Sequence, residues 1–96
     1  MTGDDIKALR KAVDFSAALF AQLCGVDVST LYRWERSPAP HVEPLQREIL
    51  DHVARFIAKY KPPAQTKKLL HLRGALTLGG TVEAIATLAA LTRGRR

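Results

Sequence analysis

The stretch Phe15–Arg36, FSAALFAQLCGVDVSTLYRWER, decides the fold. From Ser16 onward, Leu19, Phe20 and Leu23 recur at helical spacing, and the pattern stops at Gly25. Glycine takes the left-handed conformation that ends a helix without a Cβ penalty. Ser16 reads as the N-cap of this helix, with Phe15 packing on Phe20 as a hydrophobic staple. Ala21, four residues before the glycine, is small enough to let a second helix approach closely. Asp27 caps that second helix; its carboxylate is expected on the backbone N–H of Thr30, at the positive helix end. The stretch therefore predicts two short helices across a tight turn.

At about 100° per residue, the second helix divides into two arcs. Val28, Ser29, Tyr32, Arg33 and Arg36 share one; Thr30, Leu31, Trp34 and Glu35 share the other. Leu31 and Trp34 mark the buried side, and Trp34 reads as core rather than as a stacking platform. Glu35 on that side needs a partner cation or a raised pKa. Arg10 is the expected partner, because it lies four residues after Ile6 on the inward stripe Ile6, Leu9, Val13 of the preceding helix and points into the same seam.

These residues resemble the Cro/repressor-type (Xre-like) helix-turn-helix family. The resemblance rests on Ala21, Gly25 and Val26 in the turn, on Thr30, Leu31, Tyr32, Arg33, Trp34 and Glu35 in the second helix, and on Arg10 in helix 1. It departs at Ala17, where the family usually carries a glutamine that touches DNA; Gln22, a turn later, is no obvious replacement. The resemblance implies an all-α, lambda-repressor-like bundle of four to five helices. It also implies double-stranded DNA as partner, read by the second helix of the motif in the major groove. Arg33 is the first choice for a base contact, since a guanidinium takes both acceptors of a guanine edge. Val28 suits a thymine methyl, and Ser29 a base or a phosphate. Tyr32 and Arg36 suit base edge or backbone, while Thr30 supports the helix or a phosphate. In the resembling family the following loop lies along the DNA backbone, which makes Ser37, His41 and Arg47 phosphate candidates. Lys7 and Lys11, four apart on helix 1, form either a solvated face or further phosphate contacts.

The rest of the chain is consistent with this frame. Helix 1 is expected from the Thr2 cap, with an acid three residues on, to about Val13. Ser37-Pro38-Ala39-Pro40-His41 cannot continue a helix. Pro44 suits the first turn of helix 4, after which Leu45, Ile49, Val53, Phe56, Ile57 and Tyr60 recur at a helical period. Asp51 and Arg55, four apart, read as a solvated face. Pro62-Pro63 then mark a boundary between a DNA-binding domain, residues 1–61, and a C-terminal segment, residues 62–96. That segment reads as a helical hairpin around Gly79-Gly80, its second helix capped by Thr81. It either folds back on the first domain or pairs with a second copy. Pairing is the expectation, through Leu69, Leu72, Leu76, Val82, Ile85 and Leu88, giving a homodimer on a two-fold operator. Arg93, Arg95 and Arg96 form either an arm on DNA or a solvated end.

Charge agrees only in part. The net charge is +6, yet residues 1–61 hold nine Lys/Arg against eight Asp/Glu, and residues 62–96 hold six against one. Counterion release depends on local contacts, so a near-neutral module still binds if its few cations face the phosphates. A single cysteine, Cys24, excludes an internal disulfide and suits a cytoplasmic location; its place before the turn reads as packing. The three histidines lack ligand-like spacing, so no metal or cofactor is expected. No nucleophile, base and stabiliser stand together, so no enzyme is expected. The longest apolar run, Ala84–Leu91, is too short to span a membrane. The function expected is a repressor or autoregulator of transcription. The alternatives are an antitoxin, or an adaptor whose hairpin binds a protein.

Overall fold

A computed structural model describes residues 1–93, all of whose regular elements are helical: α1 (Gly3–Val13), α2 (Ala17–Cys24), α3 (Val28–Arg36), α4 (Pro44–Lys59) and α5 (Ala64–Thr92). Of the terminal arginines, Arg93 is exposed after α5, and Arg95 and Arg96 lie outside the described residues.

The helix ends follow from local chemistry. The Thr2 hydroxyl accepts from the Asp5 N–H at 3.1 Å, and the Asp5 carboxylate accepts from the Thr2 N–H at 2.8 Å, a closed capping box. Ser16 accepts from the Leu19 N–H at 3.1 Å, and Gly25 ends α2 at φ 74°. Asp27 caps α3 differently from expectation. Its carboxylate accepts from the backbone N–H and the hydroxyl of Ser29, while the Thr30 N–H bonds the Asp27 carbonyl. Ser29 is nearer and offers two donors, so the carboxylate closes a turn onto it.

Gly3 has a role that spacing alone does not reveal. Its N–H donates to the Ser37 carbonyl at 2.9 Å, and a Cβ there would run into the carbonyls of Trp34, Glu35 and Ser37. Glycine lets the start of α1 press against the end of α3, which fixes the tilt of α3.

In α4, Ile49, Val53 and Phe56 are buried as their spacing predicts, joined by Leu50. Leu45 is not: it is 58% exposed in the first turn, and Val42 of the preceding loop enters the core instead. Asp51 and Arg55 do not pair; Arg55 turns to the His52 ring at 3.2 Å.

The C-terminal segment is a hairpin, as its sequence predicts, though only Gly80 leaves helical geometry, at φ 76° and ψ −165°. Both ends of α5 meet Tyr60. Gln65 donates to the Tyr60 carbonyl at 2.8 Å, and the Tyr60 hydroxyl donates to the Leu91 carbonyl at 3.0 Å. Lys59 adds a bond to the same carbonyl at 3.1 Å, a cation at a helix C-terminus where it is favoured. By length and composition alone α5 would suffice to cross a membrane, but the turn at Gly80 leaves each part short of the roughly 20 residues a bilayer needs.

The hairpin packs on its own chain, which corrects the expected seam between copies. Leu72, Leu76 and Leu88 are almost fully buried, with Ala84, in the same cluster as Phe20, Leu23, Val53 and Phe56. They are therefore unavailable to a second chain. Leu69 and Ile85 are half-buried against that cluster, and Val82 is 80% exposed. The reason is economy of core: the first four helices alone leave α2 and α4 with an uncovered apolar flank, and a small domain gains most by covering it.

Candidate nucleic-acid interface

α3 is held from behind and left open in front. Leu31 is fully buried and Trp34 nearly so, whereas Ser29, Tyr32, Arg33 and Arg36 are exposed along the opposite arc. Val28 and Thr30 are half-buried at the boundary, Val28 against the core.

The back of α3 is tied to α1 by an ion pair. Arg10 donates from Nε to Glu35 Oε2 at 2.7 Å and from Nη2 to Oε1 at 3.0 Å, with the Glu35 side chain 6% exposed. Such a two-point pair sets orientation as well as charge. The hydrogen bond to Glu35 raises the Arg10 pKa above its ordinary value, so the guanidinium stays charged.

On the front face, Arg33 Nη2 donates to the Thr30 hydroxyl at 3.2 Å, which pre-aligns the guanidinium along the helix. Thr30 thus supports Arg33, on the inward side of the arc. The Ser29 hydroxyl donates to Asp27, and that bond, with the Ser29 backbone N–H, holds the Asp27 carboxyl below the usual range. A permanent negative charge therefore sits at the leading end of α3.

Beside α3 lies an open cleft of about 460 Å³, lined among others by Thr30, Arg33, Ser37, His41, Glu43 and Gln46. Ser37 and His41 of the loop line it, with His41 Nε2 2.9 Å from Glu43 Oε2. Arg47 is exposed on α4 without lining this cleft, and Lys7 and Lys11 are exposed on α1. Gln46 escaped sequence reasoning. The signal was present: it continues the stripe of Ile49, Leu50 and Val53, so it sits half-buried at the inner edge of α4. Among the described residues, no cluster of three His, Cys, Asp or Glu is placed to hold a metal.

Two helices crossing at a glycine-ended turn, the second pinned from behind and carrying cations in front, define a helix-turn-helix protein. Residues 6–47 match the family model described as helix-turn-helix, covering most of α1, all of α2 and α3, and the start of α4. Over these residues the chain is similar to helix-turn-helix proteins, and the five-helix fold agrees with that similarity. Comparison with curated proteins and with solved structures finds no match.

Proposed function

We propose that the protein is a sequence-specific regulator of transcription, a repressor or autoregulator, that inserts α3 into the major groove of double-stranded DNA. The observation that carries this reading is the polarity of α3: Leu31 and Trp34 inward, Tyr32, Arg33 and Arg36 outward. In this geometry the first helix of the motif crosses the backbone and the second meets base edges. Arg33 reads a guanine; Ser37, His41 and Arg47 meet phosphates on one side of the groove, and Lys7 and Lys11 extend the basic surface. The site of action is the cytoplasm.

The protein acts as a homodimer on an inverted repeat with half-sites about 34 Å apart. With Leu72, Leu76 and Leu88 inside the chain, pairing falls to the outward face of the hairpin, where Leu70, Leu78 and Val82 are exposed. A groove there is lined by Leu70, Ala75 and Leu78 among others, an apolar surface that suits a two-fold contact.

Selection of bound duplexes from a random pool, followed by titration at two salt concentrations, tests both parts. The expected result is a symmetric site whose binding falls steeply with salt. Absence of any sequence preference sinks the regulator reading, and an unsymmetrical single site sinks the dimer. Arg33→Ala should cost about 1–3 kcal/mol on the selected site and little on mixed-sequence DNA. Equal loss on both would move Arg33 to a phosphate role.

A further inference from the structure

The loop that follows α3 flanks the recognition helix on one side only. A helix lying in a groove meets a phosphate backbone on each side, and half or more of protein–DNA hydrogen bonds go to phosphate and sugar. On the other side the element that crosses the backbone is α2, which begins at the junction of α1 and α2. On their own, Asp14 and Phe15 at that junction supply no cation.

The hairpin brings one there. Arg73 of α5 donates from Nη2 to the Asp14 carbonyl at 3.3 Å, and its guanidinium stands 5.4 Å from the centre of the Phe15 ring. Phe15 is buried, so the platform beneath the guanidinium is rigid. Arg73 itself remains exposed. Stacking on a ring and one backbone tether leave the remaining N–H groups free and remove most of the side-chain freedom that binding would otherwise cost. Opposing it is one carboxylate at the same junction, that of Asp14, which is exposed and directed by a left-handed backbone at φ 58°.

We propose that Arg73 is a DNA-phosphate contact, delivered by the C-terminal hairpin to the junction of α1 and α2. This rests on the DNA-binding reading above. It gives the hairpin a part in binding that lies outside residues 6–47. It also makes folding of α5 a condition for full affinity, because Arg73 is placed by the burial of Leu72 and Leu76 on either side of it.

The test is binding of the full chain to a mixed-sequence DNA duplex and to a pool-selected duplex, across a salt series. Each phosphate contact contributes about 0.9 to the slope of log affinity against log salt. Arg73→Gln should reduce that slope by about 1 and weaken binding on the order of eightfold at 0.1 M salt, alike on both duplexes. Arg73→Lys should restore the slope. A purely structural role would lower the melting temperature of Arg73→Gln and leave its slope at the wild-type value, which overturns the proposal. Arg73→Met, which also keeps the stem, gives the same reading if the glutamine variant does not fold. If the wild-type chain shows no salt-dependent binding, the DNA reading fails first and this inference with it. If the wild type binds steeply and both neutral variants match it, only this inference fails.

Discussion

Glu35 occupies the inward arc of a helix whose outward arc leaves Tyr32, Arg33 and Arg36 exposed, and its carboxylate is matched by two donors of one arginine. The pair is a constraint on direction: it lets α1 set the roll of α3 and hence where Arg33 points. Removing one partner strands the other in a seam that is largely closed to water. Glu35→Ala is expected to cost about 3 kcal/mol, the lower end for a broken buried pair because Arg10 retains some exposure. In a domain of this size that lowers the melting temperature on the order of 15 °C. Thermal denaturation followed by circular dichroism checks it, and an unchanged midpoint would remove the pair from the account. The same scale explains which assignments were legible. Arg10 with Glu35 follows from helical phase, because both stripes are set by local periodicity. The Ser29 bond to Asp27 does not, since the choice between two nearby N–H donors depends on a hydroxyl rotor that spacing does not encode.

Among the elements, α5 depends most on a single residue. Gly80 stands at φ 76° and ψ −165°, a conformation essentially closed to residues with a Cβ. A Cβ built there meets no atom within 4 Å apart from its own local backbone, so its cost is one of backbone conformation. Gly80→Ala is expected to destabilise the fold by about 1–3 kcal/mol, read as a lower midpoint in urea with unchanged slope. A midpoint equal to the wild type would show that the reversal of α5 does not need glycine. The break at Gly79-Gly80 was legible because paired glycines interrupt any helical pattern. Which of the two turns was not, because either could adopt a positive φ; in the fold it is the second, beside Thr81 docked on the Gln22 carbonyl.

Across the whole molecule, the helix-turn-helix segment and the hairpin share one core, with Cys24 inside it beside Phe20 and Leu23. Burial pushes the Cys24 thiol up to about 12. The thiolate therefore forms only when the core opens. A neutral-pH disulfide reagent should label Cys24 at the rate of opening, far below that of the urea-unfolded chain, and prompt labelling of the native protein would show that the core is not closed. The linkage has a definite sign. A thiol whose pKa is raised on folding contributes its stability below the free-thiol value of 9.0 and loses it as pH rises above that, since the unfolded chain alone then ionises.

The chain's own pattern determined the helix starts, the turn at Gly25 and the polarity of α3, because capping and a 3.6-residue period act over a few residues and are written in them. Tertiary structure decided where the hairpin's apolar faces go. Leu72, Leu76 and Leu88 carry the same periodicity whether they meet a second chain or their own, and only the uncovered flank of α2 and α4 draws them inward. It decided the place of Arg73 for the same reason: a contact with Asp14 and Phe15 across so many residues depends on how helices dock, which no local pattern records.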